Sequence, residues 1–234
     1  MRVYVNKDIK ASLVIPLLNN EKTLVSQLKM CKEILEKICT QYEIIVCDDK
    51  STDSSQQLLK IYFSKDKHFK LIFNKKNIGI AKNVYNLYKI SKFEYIVLFS
   101  VDGDWYPRDI AKLLLFANKN KADIVIGRRI KKNYGFYRKT ISFFYNFLTY
   151  LFFQVNTVDA ASIKVIRKKI INTTHIISKS IFFEAELIIK AQRKQKKILV
   201  LPINFNRKSG IGSGAKLSYV VSSFIDLIKL RIEI

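Results

Sequence analysis

Two hydrophobic periods alternate along the chain. Short, nearly unbroken apolar runs occupy residues 12–16, 43–47, 69–73, 95–99 and 123–127, the pattern of strands buried on both faces. Between them apolar residues recur every three to four positions. Leu24, Leu28, Cys31, Leu35 and Ile38 form one such row, Leu58, Leu59 and Tyr62 mark a second helix, and residues 81–90 and 109–118 read as a third and a fourth. Asn19 or Asn20 stands where the first helix needs an N-cap, and Ser51 or Asp53 where the second does. Strand and helix alternate with short connections, which predicts an α/β fold with a mostly parallel central sheet flanked by helices.

After residue 128 the pattern changes. Residues 138–153 are dense in aromatics, and on a helix their polar members Ser142, Asn146 and Thr149 fall on one narrow stripe in line with Arg138. Such a helix is roughly 20–25 Å long at 1.5 Å per residue, short of the ~30 Å hydrocarbon core. It is expected to lie in a membrane interface with its basic end outward; the competing reading is a buried core helix. A turn near Asp159 and Ser162 leads into a strand, and residues 180–192 form a helix with Glu184 and Glu186 where its dipole favours acids. A last strand, 198–205, runs into a basic glycine-rich loop from Arg207 to Lys216, which suits a lid. Residues 216–234 form an amphipathic helix with Ser222, Asp226 and Lys229 on one face and Val221, Phe224 and Ile228 on the other. It either packs on the fold or lies beside the first interfacial helix.

At 234 residues, 49% hydrophobic and 26% charged, the chain reads as a single globular domain over 1–234 and not as a disordered one. Its formal net charge of +23 calls for an acidic partner: nucleic acid, an anionic membrane surface or a phosphorylated substrate. The three cysteines, Cys31, Cys39 and Cys47, include no C-x-x-C pair, which suits a reducing compartment. The first ten residues lack a signal-peptide core and no apolar run reaches the ~18 residues needed to span a bilayer. A peripheral protein on the cytoplasmic face of a membrane, with no transmembrane helix, is the expectation. Neither a G-x-G-x-x-G nor a G-x-x-x-x-G-K-[ST] is present, so phosphate must be held by metal and basic side chains instead of a glycine cradle.

The chemistry centres on Asp102-Gly103-Asp104, which directly follows the buried run 95–99. In an open α/β sheet ligands bind at the carboxyl ends of the strands. Two carboxylates so close raise each other's pKa unless a cation joins them. Mg²⁺ or Mn²⁺ bridging to substrate phosphates would do so, since such ions take few carboxylates and fill their sphere with phosphate and water oxygens.

Taken in order, Val14-Ile15-Pro16, Asn19-Asn20-Glu21, Asp48-Asp49-Lys-Ser51-Thr-Asp53, Asn77-Ile-Gly79, Asp102-Gly103-Asp104 and Asp123-Ile-Val-Ile-Gly127-Arg128 resemble family 2 inverting glycosyltransferases. Arg138-Lys-Thr-Ile-Ser142, Asp159-Ala-Ala-Ser162 and Pro202-Ile203 followed by Arg207 look like the polyprenyl-phosphate branch, that of dolichol-phosphate mannosyltransferase. The resemblance spans about residues 11–217 and implies the GT-A fold and a nucleotide-diphosphate sugar donor, UDP- or GDP-linked. It implies a nucleoside pocket of Pro16, Asn20, Cys47 and Asp49, a divalent metal on Asp102 and Asp104 beside Gly103, and diphosphate contacts from Arg207 and Lys216. Arg128 is expected to face the same cleft, and Arg138 and Ser142 to receive the phosphate of a polyprenyl phosphate acceptor. Leu18, Asn20 and Tyr106 depart from the family pattern.

An ionised phosphate acceptor needs no general base. A saccharide or lipid hydroxyl does, and Glu184 or Asp159 are then the candidates. A third reading, a basic non-enzymatic protein that binds nucleic acid or membrane, lacks any RRM, KH or zinc signature, and nucleic acid is not an expected partner.

Overall fold

The computed structural model describes residues 8–130, 136–155, 159–205 and 217–234, without the side chains of 136–139, 141–144 and 217. Seven strands among them form one sheet: β1 (Lys10–Leu17), β2 (Gln41–Asp48), β3 (Phe69–Phe73), β4 (Tyr95–Leu98), β5 (Ile124–Arg129), β6 (Lys164–Arg167) and β7 (Ile198–Ile203). Eight helices accompany them: α1 (Glu21–Ile38), α2 (Ser55–Phe63), α3 (Ile80–Ile90), α4 (Arg108–Asn120), α5 (Phe136–Phe153), α6 (Lys168–Thr173), α7 (Phe183–Arg193) and α8 (Leu217–Glu233). The strand order is β3-β2-β1-β4-β6-β5-β7. Every neighbouring pair is parallel except the two made by β6, which runs antiparallel between β4 and β5.

The unbroken apolar runs follow from helices on both faces. Leu13 and Ile15 of β1 pack with α1, α2 and α4, whereas Val14 of the same strand packs with α3 and α7. Leu24, Leu28, Cys31, Leu35 and Ile38 of α1 are all buried, as their spacing predicts. Each such side chain removed from water contributes about 1.5–3 kcal/mol. The far ends of the strands are closed by a polar clasp: Ser12 Oγ donates to Glu43 Oε1 at 2.6 Å and accepts the Phe93 N–H, while Glu43 also accepts the Lys92 N–H. A buried carboxylate there is tolerated because its acceptor capacity is used.

The two late helices differ from expectation in informative ways. Helix α5 is partly a core helix: Thr149 is fully buried with its hydroxyl returned to the Tyr145 carbonyl, and Phe153 is buried, but Tyr150 and Leu151 are exposed. Helix α8 packs on the fold with Ser223, Asp226, Leu227 and Leu230 buried, while Val221, Phe224 and Ile225 face outward. Asp226 is admitted because its carboxylate accepts the backbone N–H groups of Lys179 and Ser180 at 2.9 and 2.8 Å. Among the described residues no helix is long and apolar enough to cross a membrane.

Candidate active site

The carboxyl ends of β1 and β2 meet in register, Pro16 opposite Cys47 and Leu17 opposite Asp48. The loops that leave them are knitted together. Asn19, at φ +54°, donates its N–H to Ser51 Oγ at 2.9 Å and accepts the Thr52 N–H on Oδ1 at 2.8 Å. Asn20 donates its N–H to Ser55 Oγ, and Glu21 and Asp53 each accept from the other's loop. Neither asparagine caps α1 through its side chain; Asn20 turns its Nδ2 to the Leu18 carbonyl instead. At α2 the N-cap position is Ser54, not Ser51 or Asp53, and it makes no side-chain cap bond; Asp53 Oδ1 accepts the Ser55 N–H. These bonds tie together the loops that follow the paired Pro16 and Cys47, with Asn20 in the first of them. Burial, then the negative charges of Asp49 and Asp48, push the Cys47 thiol up to about 11, so it stays a neutral wall.

Asp49 does structural work beside these loops. Its Oδ1 accepts Asn74 Nδ2 at 2.8 Å and the Ile78 N–H at 2.9 Å, and its Oδ2 accepts the Gly79 N–H at 2.9 Å. The carboxylate therefore pins the Asn77-Ile-Gly79 turn at the start of α3. Asp48 is turned to the other side, where Oδ2 takes Gln56 Nε2 and the Ser51 N–H.

Strand β4 lies on the opposite side of β1 from β2, about 10 Å away across two strand spacings. The chain order reverses here, which makes the crevice a topological switch point. Beyond β4 the Asp102 Oδ1 accepts the Asp104 N–H at 3.0 Å, closing a tight turn over Gly103. Gly103 adopts φ +83°, and a Cβ there would meet Thr23 Cγ2 at 3.2 Å. Only glycine takes this conformation without strain. Thr23 in turn donates to the Val101 carbonyl at 2.6 Å, tying the turn to α1. Burial raises the Asp102 carboxyl above the usual carboxylate range; the bond from the Asp104 N–H offsets part of this and the Asp104 charge adds to it. Such a pair fits a hard divalent cation, being an all-oxygen donor set. No cluster of three or more ligating side chains exists among the described residues, so the rest of the ion's sphere would come from ligand oxygens and water.

A second constellation flanks the turn. Trp105 packs on Phe205 with ring centroids 4.7 Å apart. The Arg129 guanidinium lies 5.7 Å from the Trp105 ring and 5.2 Å from that of Phe205. The same guanidinium, through Nε at 2.9 Å and through Nη2, holds Asp159 Oδ1, while the Arg129 N–H reaches Oδ2. Arg128, expected from the sequence to face the cleft, is exposed at the end of β5, and Arg129 next to it lies against Trp105. The signal for Arg129 was available in the two-residue period of the strand, which puts it on the Val125 side together with Trp105.

Glu184 opens α7 but lies under the sheet. It accepts the Tyr88 hydroxyl at 3.1 Å and pairs with the fully buried Lys164 ammonium at 2.7 Å. Glu186, set beside it for its dipole, accepts the Ile177 and Ser178 N–H groups at 2.9 Å. Thus both expected base candidates, Asp159 and Glu184, are held by cations. Arg207 and Lys216 lie outside the described residues; Arg138 and Ser142 lie on α5, but their side chains do not belong to the described set.

The sheet order, with β6 antiparallel between β4 and β5, is that of the GT-A fold. The chain belongs to Glycosyl transferase family 2, which matches residues 12–174. It is similar to a dolichyl-phosphate beta-glucosyltransferase of Trichomonas vaginalis, 24% identical over 98% of this chain and 73% of that protein. It is also similar to a poly(ribitol-phosphate) beta-glucosyltransferase of Bacillus spizizenii, 35% identical over 51% of this chain, and to a putative glycosyltransferase of Bacillus subtilis, 29% identical over 52%. The chain spans only 19% and 43% of those two relatives' lengths. Among solved structures, glucosyl-3-phosphoglycerate synthase of Mycobacterium tuberculosis in complex with Mn²⁺, UDP and glucosyl-3-phosphoglycerate superposes with a TM-score of 0.74 at 12% identity, over 94% of this chain and 79% of that one. A Pyrobaculum calidifontis mannosyltransferase in complex with GDP-Man and Mn²⁺ gives 0.67 at 13% identity, over 96% and 65%. At such identities the likeness is one of fold.

Proposed function

We propose that this chain transfers a sugar, with inversion, from a nucleotide-diphosphate sugar to a polyprenyl phosphate on the cytoplasmic face of a membrane. The observation that carries the acceptor is the state of the two carboxylates: Asp159 is gripped by Arg129 and Glu184 by Lys164. A hydroxyl nucleophile needs a base with a proton site to spare. A phosphate oxygen is ionised near neutral pH and needs none. The similarity to the dolichyl-phosphate glucosyltransferase supports the same choice.

On this reading the nucleoside lies over Pro16, Asn20 and Cys47, with Asp49 holding the 77–79 turn against it. Asp102 and Asp104 would hold Mg²⁺ or Mn²⁺, which when bound stabilises charge on the departing diphosphate. Gly103 lets the backbone turn closely between them. Arg207 and Lys216 add charge-assisted bonds to the diphosphate, and Arg138 and Ser142 receive the acceptor phosphate. An oxygen of that phosphate attacks the anomeric carbon as the bond to the diphosphate oxygen breaks. The nucleoside diphosphate leaves, and no proton has to be removed. Arg128, at the exposed rim, assists donor phosphates.

The test compares three proteins in detergent with UDP- and GDP-sugars, Mn²⁺ and polyprenyl phosphate. Arg138→Ala is expected to lose lipid-phosphate glycosylation while still binding donor. The double variant Lys164→Met/Glu184→Gln removes the buried carboxylate and its partner together and is expected to stay within about tenfold of the parent. A fall of about 10²–10⁴-fold, the usual worth of a general base, would shift the acceptor to a hydroxyl, as in surface polysaccharide assembly.

A further inference from the structure

Helices α5 and α8 pack against each other and turn apolar side chains away from the fold. On α8, Val221, Phe224 and Ile225 are about half exposed and Ile232 is 82% exposed. With Ile228 they make one stripe at helical spacing, opposite the buried Ser223, Leu227 and Leu230. On α5, Tyr150 is 60% and Leu151 57% exposed. Beside α8 opens a cleft of about 400 Å³, walled by residues 78–82, 179–181 and α8. Lys82, Lys179 and Lys229 line it. All are exposed, and none has an ion-pair partner among the described residues. Asp226, the acid among the described lining residues, is already committed to the Lys179 and Ser180 N–H groups.

We propose that this face docks on a bilayer of anionic phospholipid. The α8 stripe, Tyr150 and Leu151 enter the boundary between headgroups and acyl chains, and the three cleft lysines meet headgroup phosphates. An apolar strip bordered by unneutralised lysines is the pattern of an in-plane interfacial surface. Charge selects this occupant over a second copy, which would bring two chains of formal charge +23 together. The inference deepens the lipid-acceptor reading and rests on it for its purpose. Its test uses neither donor nor acceptor, so the two fail separately.

The experiment is flotation of the purified chain with phosphatidylcholine vesicles, with and without phosphatidylglycerol. Binding is expected only with phosphatidylglycerol and should fall steeply with salt. Lys82→Ala/Lys179→Ala/Lys229→Ala is expected to bind on the order of 100-fold more weakly, at roughly fivefold per lysine. Leu151→Glu/Ile225→Glu should lose at least about tenfold by placing charges in the apolar boundary, with melting temperature and circular dichroism unchanged. Equal binding to neutral vesicles, or variants that bind like the parent, would overturn the proposal. So would a dimer in size-exclusion chromatography that Leu151→Glu/Ile225→Glu dissolves with no vesicle binding, which assigns the face to a second copy.

Discussion

Asp102→Asn is expected to lower sugar transfer by about 10³-fold or more and, in the same protein, to raise the melting temperature measured in EDTA. On the proposed reading the loss follows from removing one of the two carboxylates that would hold the cation, a group worth several kcal/mol of charge stabilisation. The gain follows from the cost of holding that carboxylate ionised. Burial and the Asp104 charge raise the Asp102 pKa in the folded state. A group raised in this way contributes stability that is present below its unfolded pKa and is lost as pH rises through the folded value. As pH rises, the wild-type chain therefore bears a penalty that the neutral amide does not. The amide oxygen of the variant can still accept the Asp104 N–H, so the turn over Gly103 survives. Each kcal/mol relieved raises the melting temperature by about 2–4 °C in a chain of this size. The difference between variant and parent should shrink as pH falls through the raised value, because the parent then protonates. A variant that melts no higher than the parent at neutral pH, or that retains transfer, would remove Asp102 from this role.

Lys164→Met carries the second large effect, and it concerns the fold. Lys164 is fully buried and faces Glu184, itself nearly so. Removing the ammonium leaves a buried carboxylate with the Tyr88 hydroxyl as its remaining partner. Breaking such a pair from one side costs about 3–5 kcal/mol, a fall in melting temperature of roughly 6–20 °C. Adding Glu184→Gln should restore most of the loss, because the amide can still accept from Tyr88 and no charge is stranded. A urea-denaturation double-mutant cycle reads this directly. Equal stability of Lys164→Met and the parent would mean that the pair is solvated in solution.

Much of this architecture is legible in the residues, because the deciding signals are local. The five early apolar runs become strands, and Asp102-Gly103-Asp104 lies where a buried run ends. What the sequence does not show are bonds formed across long separations. Strand β6 has only four residues and takes its place antiparallel between β4 and β5, a position set by pairing with Tyr95–Leu98 and Ile124–Ile126 and not by its own pattern. The Lys168–Thr173 helix that follows is too short for a period to declare it. Asp159 sits at φ +56° in the grip of Arg129, thirty residues away in the chain. On α8 the polar stripe read from the sequence includes Asp226, which is buried because a distant loop offers it two N–H groups. In each case a tertiary partner overrides a local preference.

The packing of Trp105 against Phe205 and Arg129 has an optical consequence. Trp105 is the single tryptophan of the chain, it is nearly buried, and it adjoins Asp104. Its emission therefore reports on one place only. A ligand that shifts the guanidinium or the Phe205 ring alters the field and quenching at the indole, so occupancy beside the acids can be followed by intrinsic fluorescence without a label. The wavelength and lifetime of this chain are a built-in gauge of its own site.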